Sequence, residues 1–198
     1  KTFGNSMKYI MMGVSSNFGN MFSVIGAVIF LPFLPMLPIQ ILFNNLLYDF
    51  SQITIPGDAV DEEYVGGPKR WDMKFVKKFM VVCGLISSCF DFITFYVLYQ
   101  VFHLSNEAFQ TGWFIQSLAT QTLIIHVIRT KKIPFLQSRA SNGLIFSTLF
   151  VVAIGWILPF TALGPVFNFV MLPPTVLLVI GAIVAVYLVT VEIGKRLF

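Results

Sequence analysis

Charge is what this sequence has least of. Asp, Glu, Lys and Arg make up 11% of its 198 residues, while 57% are hydrophobic and the mean hydropathy is +0.82. A soluble domain carries about a quarter charged residues, so a water-soluble globule is excluded. Cysteine is almost missing. Cys83 and Cys89 lie six residues apart on one apolar run and point to different faces of a helix. That spacing excludes a disulfide between them and leaves them as small hydrophobes. Short alternating segments of the barrel kind are missing too, and the apolar runs have helical length. The fold class expected is therefore all-α, a polytopic membrane bundle. There is no phosphate-cradling glycine loop, no zinc spacing and no nucleophile set beside a base. Covalent catalysis is not expected, and nothing resembles a nucleic-acid-binding domain. The chain has neither an initiating Met nor a signal peptide, and is expected to be a fragment of a longer protein.

The few cations are informative. All thirteen Lys and Arg fall in four places: Lys1 and Lys8; Lys69 to Lys78; Arg129 to Arg139; Lys195 and Arg196. The alternate loops, 31–38, 101–111 and 159–174, hold none. Basic residues collect on the cytoplasmic side of membrane proteins. The pattern predicts six spans with both termini cytoplasmic, over about 2–31, 38–52, 72–101, 107–129, 142–158 and 174–196. A cytoplasmic loop, 53–71, joins the second span to the third.

The first two spans form a hairpin that turns at LPFLPMLP, residues 31–38. Its apolar arms are interrupted by Ser16, Asn17, Asn20, Asn45, Tyr48, Asp49 and Gln52. Polar groups in hydrocarbon are costly unless satisfied, and an ionisable one marks a functional site. Asn20 lies fifteen residues before Pro35 and Asp49 fourteen after it. If both arms are helical, the pair shares one depth, about 20 Å below the turn in a core about 30 Å thick. Asn17 and Asn20 are i,i+3; Asn45, Tyr48, Asp49 and Gln52 recur at i+3, i+4 and i+7. Two stripes at one depth predict a buried, oxygen-rich site for a hard cation. The residues alone allow Mg²⁺, a monovalent cation, or a proton carried by Asp49.

Elsewhere the readings are plainer. Asp58, Asp61, Glu62 and Glu63 place an acidic loop on the inner side, either a solvated loop or a docking surface. Trp71 is expected at the interface, with Asp72 capping the third span. Asp91 is expected to be a structural acid bonded to a neighbouring helix rather than an ion ligand. Gln121 reads as packing glue and His126 as a satisfied interface histidine. The last two spans read as scaffold.

Three stretches resemble a known family. KTFGNSMKYIMMGVSSNFGN and LPFLPMLPIQILFNNLLYDFSQ are similar to the fifth and sixth membrane helices of P-type cation-transporting ATPases. FQTGWFIQSLATQTLIIHVIRTKKIPFLQSRAS resembles the magnesium-importing class. The resemblance implies the last six of ten membrane helices. It implies ion ligands at Asn17 and Asn20, at Asn45, Tyr48 and Asp49, and at Gln121. Calcium pumps carry acids where this chain has Asn20 and Gln121. Mg²⁺ is then the transported ion, and the setting a plasma membrane, the inner one in a bacterium. Partners would be the lipid bilayer and the remaining helices and cytoplasmic domains of the same pump. No nucleic acid is implied. ATP-Mg would bind only in domains not present here, with the DKTGT aspartate and the TGES loop, so the chain alone is expected to be inactive. The resemblance also gives the acidic loop a contact with the phosphorylation domain. The competing readings are a freestanding six-helix cation channel or carrier, for which no pore-loop motif is evident, and a structural membrane subunit.

Overall fold

A computed structural model describes residues 2–58, 73–130, 132–134 and 137–195. Six α-helices make up these residues: α1 (Thr2–Phe30), α2 (Pro38–Gln52), α3 (Met73–Tyr96), α4 (Asn106–Ile128), α5 (Asn142–Ile157) and α6 (Pro174–Gly194). No strand occurs among the described residues. Trp71, Asp72 and the acidic residues Asp61, Glu62 and Glu63 lie outside them.

Proline sets several boundaries. Pro38 and Pro174 stand at the first turns of α2 and α6, where a missing N–H costs nothing. Pro32 and Pro35 keep residues 31–37 out of helix. Ser105 and Ser141 cap α4 and α5, accepting from the N–H groups of Ala108 and Leu144, both at 3.3 Å. Beyond α3 the chain widens into a π-turn, Val97–Val101. Cys83 is buried, Cys89 exposed, and both are free thiols.

Four helical stretches are long and apolar enough to cross a membrane: Thr2–Phe30, Met73–Val101, Asn142–Phe160 and Pro174–Gly194. The other two helices differ for separate reasons. α2 has 15 residues, against the ~20 a full span needs. α4 has 23 residues but is diluted by Gln110, Gln116, Thr120, Gln121 and His126. It can carry them because it is the centre of the bundle. It contacts each of the other five helices, and nearly its whole length from Phe109 to Ile128 is buried. Its polar groups meet protein, not lipid.

α1 packs chiefly on α3. The closest approach is at Gly19 and Gly84. A Cβ on Gly19 would lie 3.2 Å from the Ser87 Cβ and 3.4 Å from the Gly84 carbonyl oxygen. Ser88 Oγ donates to the Gly19 carbonyl at 3.0 Å. Small residues let the two backbones meet, as membrane helix pairs require. One turn outward, Asp91 is 1% exposed and accepts from Ser23 Oγ at 2.6 Å and Trp113 Nε1 at 3.2 Å. It is a structural acid joining α1, α3 and α4.

Two apolar clusters fill the bundle. One gathers Phe95, Phe109, Trp113, Phe114 and Leu118 toward the 31–37 turn. The other gathers Met12, Phe79, Ile125 and Tyr187 toward the opposite end. Between them α4 presents Ser117 and Gln121.

Candidate cation site

The α1–α2 linker decides which polar residues meet. Residues 31–37 are not helical, and they are held in place. Gln110 Nε2 donates to the Leu34 carbonyl at 2.8 Å, and Gln40 Nε2 to the Phe167 carbonyl at 2.9 Å. Extended residues advance about twice as far as helical ones, so the linker runs back along α4 before α2 begins. Asn44 is six residues into α2 and Asn20 ten before the end of α1, yet both bond Gln121. At 1.5 Å per residue, α2 therefore starts roughly 6 Å deeper than α1 ends.

The expected pairing of Asn20 with Asp49 gives way to a pairing of Asn20 with Asn44. A cavity of about 270 Å³ between α1, α2 and α4 is lined by Asn17, Asn20, Asn44, Asn45 and Ser117, with Met36 and Trp113 among its apolar walls. Asp49 lines a second, larger cavity of about 810 Å³ with Asn5, Ser6, Tyr9 and Gln52. The polar stripe of α2 is in fact two faces. Asn45 and Asp49 are exposed; Asn44, Tyr48, Ser51 and Gln52 are buried.

Behind the first cavity the amides are bonded. Gln121 Oε1 accepts from Ser16 Oγ at 2.9 Å and from Asn20 Nδ2 at 3.1 Å. Gln121 Nε2 donates to Asn44 Oδ1. Ser117 Oγ reaches Asn20 Oδ1 at 3.5 Å. The Tyr48 hydroxyl is buried near Ser16 and Gln52, without a hydrogen bond among the described residues. Sequence spacing left Asn44 and Ser117 out of the site, and Ser16, although singled out as a polar interruption of the first arm, out of its stripe. The signal for Asn44 was the Asn44-Asn45 doublet, whose two members lie about 100° apart on a helix, so that one can be buried against a neighbour while the other is exposed.

No three His, Cys, Asp or Glu side chains come together among the described residues. The donor set is carboxamide and hydroxyl oxygen, with Asp49 one helical turn away. Such oxygens suit a hard cation that keeps part of its water. The space exceeds by several times the ~30 Å³ of one water.

Residues 33–197 match the family described as cation transporting ATPase, C-terminus. The chain belongs to that family. It is 46% identical over its whole length to a magnesium-transporting ATPase, P-type 1, from Salmonella typhimurium strain 14028s, and 45% to its namesake from Escherichia coli K12. A further magnesium-transporting ATPase, P-type 1, of S. typhimurium strain LT2 is 48% identical across 87% of the chain. The chain spans 22% of the length of the first two relatives. Membership places these helices in the C-terminal membrane domain of a cation-transporting ATPase.

At the end of the bundle opposite the 31–37 turn, a second polar cluster surrounds Asp58. Its carboxylate accepts from Lys8 Nζ at 2.7 Å, Arg129 Nε at 2.8 Å and the Ser141 N–H at 2.8 Å. Asn5 Nδ2 donates to the Pro56 and Asp58 carbonyls at 2.8 and 3.2 Å. Burial pushes the Asp58 carboxyl up, but the bonds from Arg129, Lys8 and Ser141 outweigh it and hold it below the usual range. Asp58 is therefore neither solvated nor displayed for docking. It ties α1, the α2–α3 loop, the end of α4 and the start of α5 together.

Proposed function

We propose that this chain is the membrane-embedded, cation-site part of an ATP-driven Mg²⁺ transporter of the P type. The observation that carries the reading is the carboxamide-lined cavity between α1 and α2, closed by α4, in a chain 46% identical to a magnesium-transporting ATPase. Asn17, Asn20 and Asn45 meet the ion or its water in the cavity. Asp49, one turn inward on α2, supplies the compensating charge. Tyr48 adds a buried hydroxyl between them. A single carboxylate with neutral oxygens suits Mg²⁺, which binds through one or two carboxylates and keeps several waters.

The ion is cargo, so the site must bind it and release it. α1 runs inward from Asn20 to Lys8 and the Asp58 cluster, which makes it a rod able to carry movement between cytoplasm and cavity. Phosphorylation and ATP binding belong to domains other than these helices. The six helices span the membrane with both ends cytoplasmic, in a plasma membrane, or the inner membrane of a bacterium.

The test is Mg²⁺ uptake by the intact pump containing this chain, in cells lacking their own Mg²⁺ transporters. Asp49→Asn is expected to abolish uptake while the protein still inserts, since the Asp49 side chain is exposed and supports no packing. Wild-type uptake by that variant would overturn the site.

A further inference from the structure

We propose that Gln121 is a positioning residue and not an ion ligand, a crosspiece that sets which carboxamide oxygen the cavity receives. The inference rests on the reading of the cavity as a cation site. A side-chain amide oxygen has two acceptor positions. Gln121 Oε1 spends both, on Ser16 Oγ at 2.9 Å and Asn20 Nδ2 at 3.1 Å. Its Nε2 donates to Asn44 Oδ1. The side chain is 5% exposed and is not among those lining the cavity. It has no oxygen left for a cation.

The two neighbours are held in opposite senses. Asn44 is gripped by its oxygen, which turns that oxygen toward Gln121 and spends one of its acceptor positions there. Asn20 is gripped by its nitrogen, which turns its oxygen away from Gln121. Among the described residues, the Asn20 oxygen then meets only the long 3.5 Å contact from Ser117 Oγ. Asn20 lines the cavity and is half-buried, so its Oδ1 is the oxygen on offer. The crosspiece works because glutamine is both donor and acceptor. A carboxylate at position 121 would set oxygen against Asn44 Oδ1. Alanine would free both asparagines to rotate.

Two measurements on the intact pump test this. The first is thermal unfolding in the absence of Mg²⁺ for Gln121→Ala, Asn44→Ala and the double variant. Asn44→Ala, which breaks the one bond it shares with Gln121, is expected to lower the midpoint by about 3 °C. Gln121→Ala is expected to lower it by more, because it also releases Ser16 and Asn20, and the double change little beyond Gln121→Ala. Additive losses would overturn the proposal, since residues that meet only through a bound ion are uncoupled without it. The second is half-saturating Mg²⁺ for uptake. Gln121→Ala is expected to raise it about tenfold, the scale of one or two lost hydrogen bonds, with the maximal rate little changed. In an Asn20→Ala background the same change is expected to add less than about twofold. A full tenfold effect there, or an unchanged value in Gln121→Ala alone, would overturn it. A wild-type pump that carries no Mg²⁺ would instead sink the Mg²⁺ reading, and the unfolding cycle would still decide the role of Gln121.

Discussion

Arg129 Nε donates to Asp58 Oδ2 at 2.8 Å across 71 positions of sequence. The bond closes one end of the bundle. With Lys8 on the same carboxylate oxygen at 2.7 Å, it fastens the N-terminal part of α1 to the central helix. The cavity lies further along the same two helices, so this clamp sets the frame in which Asn20 and Gln121 meet.

Removing the carboxylate takes from Lys8 and Arg129, both buried, the counter-charge that Asp58 supplies. Breaking one partner of a buried ion pair costs about 3–5 kcal/mol. Asp58→Ala is expected to lower the thermal midpoint of the purified protein well beyond any single surface change. A midpoint within about 1 °C of wild type would show that the cluster carries no stability.

The same cluster predicts an acid dependence. The folded-state pKa of Asp58 is depressed below 3.8. Such a group contributes stability that is fully present above its unfolded pKa of about 4 and is lost as pH falls through the folded value. Melting scans are expected to lose this contribution only below about pH 4, and Asp58→Asn is expected to lack that component. A matching acid decline in the variant would assign it elsewhere.

Asp91 separates a structural acid from a ligand. Asp91→Asn keeps an acceptor oxygen between Ser23 and Trp113. Asp91→Ala takes the acceptor from the buried Trp113 N–H, at about 1–3 kcal/mol, while Ser23 Oγ keeps the Gly19 carbonyl. The alanine variant is expected to unfold earlier and the asparagine variant near wild type, with half-saturating Mg²⁺ unchanged in both. A rise in that value for Asp91→Asn would make Asp91 part of the ion path.

Sidedness can be checked by labelling single cysteines in a background with Cys83 and Cys89 replaced. Positions 103–108 are expected to react with an impermeant reagent from outside, and 132–139 only from inside. The reverse result would overturn the six-span topology.

Much of the architecture was legible because it rests on local chemistry. Proline at 32 and 35 must interrupt a helix wherever the chain goes, Pro38 is suited to open one, and long apolar runs must be helices if lipid surrounds them. The site was only half legible. Asn17, Asn20 and Asn45 stood out as amides in apolar runs, and they do line one cavity. Asn44 did not stand out, because spacing on one helix cannot say which face meets a neighbour. Gln121 was legible as glue from its own helix, and as a ligand only by resemblance.

By itself the sequence determined a helical membrane domain, the proline and serine signals at its helix starts and the amide chemistry of its hairpin, since each follows from a residue and its near neighbours. Only the tertiary structure decided that α4 is the centre of the bundle, that α2 begins deeper than α1 ends, that Asp58 is a clamp between α1 and α4, and that Asn20 pairs with Asn44 through Gln121. Those are relations between elements up to 105 residues apart, as between Ser16 and Gln121, and they depend on how a seven-residue linker lies against the bundle.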